Sequence, residues 1–183
     1  MSRSAAALAT DVLQALLLVC IVGWVLDLPR QLFGVSFYTE QLLAVCLGIG
    51  LALSFVSRRD RPPRWLEWTG AAASLAICAY ITIRYEPLSY ELAMLPLEGV
   101  LGSALLILMV LIATWRSAGA TLVGIILVLT AWVFIGPHLP ADFRTLPVSP
   151  ERLLVYLGLD VNGMIGAILA VAIIIVVPFT LMG

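Results

Sequence analysis

Charged side chains are scarce in this chain, and lysine is missing altogether. Of the 183 residues 11% are charged and 62% are hydrophobic, whereas a soluble domain is about a quarter charged and about half apolar. All 10 basic residues are arginine, and no basic tract is long enough to bind nucleic acid. The composition therefore indicates that almost the whole chain faces lipid or other helices.

The residues from which metal and catalytic sites are built are equally sparse. His138 is the one histidine, and Cys20, Cys46 and Cys78 fall in separate apolar runs without a C-x-x-C pair. Thiols in such runs behave as small hydrophobic side chains. The sequence shows neither a glycine-rich phosphate loop nor a Ser/His/Asp arrangement. We therefore expect no catalytic residue, no metal and no cofactor, and hence no enzyme.

Two long apolar runs joined by one charged turn occupy the middle of the chain. No ionisable side chain occurs in residues 99–115 or 117–137, and Arg116 lies between the two runs. At about 1.5 Å per residue, each run is roughly long enough to cross a hydrocarbon core of about 30 Å. The connection is too short to leave the membrane, so the two runs are predicted to form a transmembrane hairpin.

Four further apolar runs complete the predicted fold. They span residues 6–26, 39–56, 65–83 and 163–181. The first run has no cleavage signal after it, so it is interpreted as an uncleaved anchor helix. The sequence thus predicts an all-α integral membrane protein with about six transmembrane helices, short loops and a short interfacial helix.

The interfacial helix is predicted within the polar stretch 141–162. Ser149, Pro150 and Glu151 have the character of an N-cap, a first-turn proline and a first-turn acid. Three leucines then fall on one face, and Gly158 is expected to end the helix. These leucines are Leu153, Leu154 and Leu157. Such a helix is expected to lie on the outer membrane surface.

Arginines concentrated in one short loop predict the orientation. Short loops rich in arginine stay in the cytoplasm. Counting spans from residues 57–64 places the N-terminus in the cytoplasm and the loops 84–96 and 141–162 outside. We expect a multi-pass protein of the bacterial inner membrane. The arginines that carry this prediction are Arg58, Arg59, Arg61 and Arg64.

Small residues cluster in the second and third predicted spans. Gly48, Gly50 and Ala52 give the second span a small-residue face, and residues 70–74 give the third span another. Membrane helices pack closely where small residues let their backbones approach. These faces are therefore predicted to be helix contacts rather than surfaces facing lipid.

Five charged residues fall on the predicted outer side. They admit two interpretations: ordinary solvated loop charges, or the rim on which a partner protein docks. In the second case they would act mainly on the rate of encounter. The five residues are Arg84, Glu86, Glu91, Asp142 and Glu151.

Five short motifs occur in order between residues 98 and 166. Glu98 precedes Gly102 by four residues at the head of a span, and Arg116 precedes Gly119 by three in the hairpin turn. The sequences FIGPHLP (134–140), SPER (149–152) and DVNGMIG (160–166) follow. This series resembles the N-terminal part of TRAP transporter fused permeases of the TAXI type. The chain departs from that family at Ile112 and Trp115, where the family usually carries a glutamate and a second arginine.

The resemblance implies a secondary transporter that imports organic anions with an ion gradient. The implied partners are a periplasmic solute-binding protein, the remaining large membrane part of the permease and the lipid bilayer. The substrate site and the site for the coupling ion, sodium or proton, would lie beyond Gly183. This chain is therefore expected to be a fragment or a separately encoded front section that does not transport alone.

The resemblance also implies a division of the chain. Residues 1–116 would form a small-subunit-like scaffold of four membrane helices, and 117–140 a connector helix. Residues 141–162 would form the outer loop with its interfacial helix, and 163–183 the first helix of the truncated large transport part.

Two other classes of protein remain open at the level of sequence. One is a free-standing small membrane subunit of a tripartite tricarboxylate-type transporter, or an assembly protein, since these also have few spans and little intramembrane charge. The other is a small membrane enzyme or lipid-handling protein, which would need several ionisable residues converging at one membrane depth. The coding sequence that follows residue 183 would discriminate among the three.

Overall fold

The computed structural model describes residues 5–34, 37–56, 64–138, 140 and 144–176. Within these residues the chain is helical, with no strand, which confirms the predicted all-α fold. The helices, in chain order, are α1 (Ala5–Val25), α2 (Leu28–Phe33), α3 (Thr39–Val56), α4 (Arg64–Glu91), α5 (Leu97–Ala118), α6 (Ala120–Ile135), α7 (Pro150–Leu159) and α8 (Ala167–Val171). Short 3-10 turns follow α4 and α6, and a π-helical turn, Ala172–Val176, follows α8.

Five segments of the described chain are long and apolar enough to cross a membrane. They have 18 to 30 residues, and about 20 suffice for a span. The predicted hairpin is among them, with its turn at Gly119, whose φ of 89° favours glycine. A multi-pass membrane fold is thereby confirmed. The segments are Ala7–Val25, Thr39–Val56, Trp65–Met94, Leu97–Ala118 and Ala120–His138.

The sixth predicted span begins later than expected. Residues 160–166 form turns, in which the N–H of Met164 donates to the carbonyl of Leu157 at 2.7 Å. This contact folds the chain back on α7, so the predicted start at Gly163 is wrong and α8 begins at Ala167. The remainder of the span, residues 177–183, lies outside the described part of the chain.

Helices α3 and α4 pack against each other in antiparallel directions through small residues. A Cβ added to Gly48 would lie 2.7 Å from Cys78 Cβ, and one added to Gly70 would lie 2.7 Å from the Phe55 ring. Ser74 is fully buried beside Gly48. The predicted contacts are therefore confirmed at Gly48 and Gly70.

Gly50 does not belong to the packing face of α3. It is exposed, and a Cβ added there would meet nothing within 4 Å. Its inclusion in the predicted face is wrong because two residues advance a helix by about 200°, which turns position 50 away from the neighbour of position 48. The buried side of α3 instead includes Leu43, Ala44 and Ile49.

Helix α4 continues well past its predicted end near Ile83. It runs to Glu91, with Pro87 inside it, so the predicted outer loop 84–96 is mostly helical. Within this extension the side chains of Tyr85 and Leu88 are buried, each only 4% exposed. Their burial outweighs the backbone hydrogen bond that Pro87 cannot donate.

Helix α7 forms as predicted but packs against α5. The Ser149 hydroxyl accepts a hydrogen bond from the N–H of Arg152 at 3.4 Å, which confirms the N-cap. The sequence predicted that Gly158 ends the helix, and this prediction is wrong. A Cβ there would lie 2.6 Å from Ser103 Cβ, so Gly158 is a point of close approach to α5, and the helix continues to Leu159.

Candidate functional site

Four of the five rim residues lie on described helices. Arg84, Glu86 and Glu91 are exposed on the last turns of α4, so they belong to a helix rather than to the expected loop. Glu151 is exposed in the first turn of α7. Asp142 lies outside the described residues. The four described rim residues thus lie at the end of α4 and the start of α7, and the role of the rim in docking stays a prediction.

Arg84 is held in a small polar cluster where α4 and α5 meet. Its Nη2 lies 3.1 Å from Glu98 Oε2, and the Tyr80 hydroxyl donates to the same oxygen at 3.0 Å. Both charged side chains are about half exposed. Glu98, the acid of the first motif, is thus paired with Arg84. Arg84 therefore does not present an unpaired charge on the rim.

A hollow of about 460 Å³, with polar and apolar residues in its wall, separates the end of α4 from α7. Its wall includes Tyr90 from α4 and Arg152 and Tyr156 from α7, together with Asp160. Glu91 and Glu151 adjoin two of these lining residues in the sequence. Arginine and tyrosine are enriched in protein interfaces, so the hollow has a composition suited to a protein side chain.

The connection before α3 reaches the same end of α4. The side chains of Tyr38 and Tyr90 interact, and this interaction raises the pKa of Tyr38. The ring of Tyr38 also lies 6.0 Å from that of Tyr85, at a tilted angle of 56°. The connection between α2 and α3, the end of α4 and the hollow are therefore neighbouring parts of one face.

Arg116 of the hairpin turn pairs with an acid from α4. Its Nη2 lies 3.7 Å from Glu67 Oε1, and its guanidinium carbon lies 5.1 Å from the centroid of the Phe55 ring. The Arg116 and Glu67 side chains are 20% and 15% exposed. The end of α5 is thus joined to the start of α4 and the end of α3, so these three helix ends lie at one end of the bundle.

The exit and entry motifs are also points of close backbone packing. A Cβ on Gly136 would collide with the hydroxyl of Thr145, whose N–H donates to the carbonyl of Gly136 at 3.3 Å. A Cβ on Gly166 would collide with the carbonyl oxygen of Val161. The glycines of both motifs therefore hold the segments around α7 in place.

Two partners of the motif residues were missed by sequence reasoning. Glu67 pairs with Arg116 and Tyr80 with Glu98, across 49 and 18 positions of sequence. The signal for Glu67 was present, since an acid at the start of the third span falls on the same predicted side as Arg116. Tyr80 gave no signal, because its position within an apolar run is typical of an ordinary lipid-facing aromatic residue.

The described residues contain no group of three or more His, Cys, Asp or Glu side chains that could hold a metal ion. Known proteins offer no match either: comparison with models of protein families, with curated proteins and with solved structures found none. The resemblance to TRAP permeases therefore stays a prediction, and a function has to be argued from the contacts described above.

Proposed function

We propose that this chain is the membrane scaffold portion of a TRAP-type permease, which imports organic anions with a periplasmic binding protein and an ion gradient. The observation that carries the proposal is that two of the motif residues form contacts between helices. Glu98 and Arg116, which carry two of the five motifs, each join one helix to another. Residues with that role hold a framework together and leave transport chemistry to another part of the protein.

The surface of the bundle supports a scaffold with further membrane partners. Val123 is the one buried residue of α6, and Ile21 is the one buried residue among the described side chains of α1. Helices at the edge of a bundle can face lipid or the remaining large membrane part of the permease. In this proposal the helix ends paired through Glu67 and Arg116 face the cytoplasm at a bacterial inner membrane, and the N-terminus lies on the same side.

The opposite end of the bundle is the proposed docking face for the binding protein. It includes the hollow between α4 and α7 and the exposed acids Glu86, Glu91 and Glu151. Charged groups at the edge of an interface act chiefly on association rate and its salt dependence. The mixture of arginine, tyrosine and acids at this face fits a protein partner better than a small anion.

The test is to identify what accompanies the chain in its native membrane. An affinity tag before Met1 allows purification in mild detergent after cross-linking, and peptide mass spectrometry identifies the products. The proposal predicts a large TRAP-type membrane part, in the same polypeptide or in the complex, together with a periplasmic binding protein. The double variant Glu86→Lys/Glu91→Lys should retain the membrane part and lose most of the binding protein at low salt.

Two results would contradict the proposal. A 19.7 kDa chain purified with no larger membrane partner would exclude a permease scaffold. Recovery with the membrane components of another transporter class, such as the tripartite tricarboxylate type, would replace the proposed family. Equal recovery of the binding protein by the double variant would remove the acids from the docking face and leave the scaffold role standing.

A further inference from the structure

An apolar cavity lies among α1, α3 and α4, on the side where α2 connects α1 to α3. Its volume is about 430 Å³, within the range of about 300–1,000 Å³ typical of ligand pockets. Val19 and Phe37 in its wall are 70% and 50% exposed, so the cavity opens to the outside of the bundle. Its wall also includes Cys20, Gly23 and Trp24 of α1.

The polar groups in this wall are occupied by one another. The Gln41 side-chain amide donates to the carbonyl of Thr82 at 2.9 Å, and its oxygen accepts from the N–H of Tyr38 at 3.0 Å. The Thr82 hydroxyl donates to the carbonyl of Cys78 at 2.8 Å. A ligand in the cavity would therefore meet hydrocarbon and satisfied polar groups, which selects an apolar occupant.

The depth of the cavity matches one part of the bilayer. Its lining on α1 reaches from Val19 toward the end of the helix at Val25. Six residues of helix measure about 9 Å at about 1.5 Å per residue. One leaflet of a hydrocarbon core of about 30 Å has a depth of about 15 Å. The cavity therefore occupies the part of a leaflet nearest the headgroups.

We propose that this cavity binds the upper segment of an acyl chain of a bilayer phospholipid. Lipid tails surround a membrane-spanning helix bundle and are therefore present at the opening of the cavity. The polar groups in its wall already have hydrogen-bond partners, so the occupant need not supply one. The bound acyl chain would fill the space between α1 and α3, which no other described part of the protein occupies. This site is independent of the proposed transport function.

The chain offers a variant that fills the cavity and a matched control. A Cβ added to Gly23 would meet one atom, Leu28 Cδ1, at 3.8 Å, an ordinary contact. Gly23→Leu therefore places an apolar side chain in the cavity without a backbone collision. Gly124 on α6 is exposed, with nothing within 4 Å of an added Cβ, so Gly124→Leu is the same change on an open surface.

Photo-cross-linking in vesicles tests the proposal. The full chain is reconstituted in phosphatidylethanolamine and phosphatidylglycerol that include a phospholipid with a diazirine on the upper part of one acyl chain. Cross-links are mapped by mass spectrometry and normalised to those on Ile125 and Leu129 of α6. We expect several-fold enrichment at Cys20, Trp24 and Gln41 in the wild type. Gly23→Leu should abolish the enrichment, and Gly124→Leu should preserve it.

Alkylation of Cys20 on the folded wild-type protein gives a second readout that needs no variant. Cys46 and Cys78 are buried, so N-ethylmaleimide in detergent should react first at Cys20. Added phospholipid should slow that reaction several-fold. An unchanged rate, the absence of cross-link enrichment, or its survival in Gly23→Leu would overturn the proposal. Protein–protein cross-links at the same wall residues would show that another protein segment fills the cavity, and would overturn it as well.

Discussion

Gly48 and Gly70 set the distance between α3 and α4. Lipid tails are as apolar as the helices themselves, so helices in a membrane gain little from hydrophobic burial and depend on close packing. The contacts of 2.7 Å that a Cβ would make at either glycine show that no larger residue fits without movement. The close packing of α3 against α4 therefore depends on residues with no side chain.

Gly48→Leu should lower the melting temperature in detergent. The added side chain would press on Cys78 and force α3 and α4 apart, and overpacking of this kind costs about 1–3 kcal/mol. Gly50→Leu is the matched control on the same helix, since nothing lies within 4 Å of a Cβ there. Equal melting temperatures for the two variants in a thermal unfolding assay would show that position 48 is not a helix contact.

Glu67→Gln should also destabilise the bundle. The change removes the carboxylate that lies 3.7 Å from the guanidinium of Arg116, in a pair that is mostly buried. Replacing the charged partner of the largely buried Arg116 with a neutral amide weakens a charge-assisted contact, which is expected to cost about 1–3 kcal/mol. Glu86→Gln, which alters an exposed acid on the same helix, is the control. If Glu67→Gln and the wild type unfold at the same temperature, the ion pair contributes no more to stability than a surface contact does.

At the scale of elements, α4 shows what the sequence predicts and what it does not. The apolar run 65–83 identified the helix, but Arg84, Glu86 and Pro87 were interpreted as its exit. The helix continues because Tyr85 and Leu88 are buried against neighbours that no local pattern reveals. Gly158 gave a similar error: glycine is a common helix end, whereas here it permits contact with Ser103.

Pro87→Ala tests the extension of α4. A proline inside a helix removes one backbone hydrogen bond and crowds the carbonyl four residues earlier, at a cost of up to about 3 kcal/mol. Alanine at this exposed position should therefore raise the melting temperature. Pro96 stands outside a helix, as the residue before α5, so Pro96→Ala should not give the same gain. A gain confined to Pro96→Ala would argue that residues 84–91 are not helical.

At the scale of the whole molecule, hydropathy predicted about six spans, and five of them are present in the described residues. It could not predict the contacts that bring distant segments together, such as Glu67 with Arg116 or α7 with α5, because these depend on tertiary packing. The docking rim was predicted only from the charge of its residues and from their expected position on the outer side of the membrane. The structure adds that Arg84 is paired with Glu98 and that a hollow lies between the end of α4 and α7.

The orientation can be tested at two exposed positions. Ala118 ends α5 at the proposed cytoplasmic side, and Leu146, 84% exposed, lies in the segment before α7 on the proposed outer side. In a background without the native cysteines, a membrane-impermeant maleimide applied to intact spheroplasts should label Leu146→Cys but not Ala118→Cys. The opposite pattern would place the N-terminus outside.

The most direct test of the scaffold proposal is transport in liposomes. Three preparations are compared under a sodium or proton gradient: the full permease, the permease without residues 1–183, and residues 1–183 alone. Each receives the periplasmic binding protein and the organic anion that raises the melting temperature of that protein. The account predicts accumulation of the anion by the full permease alone. Uptake by residues 1–183 alone, or equal uptake when they are omitted, would contradict it.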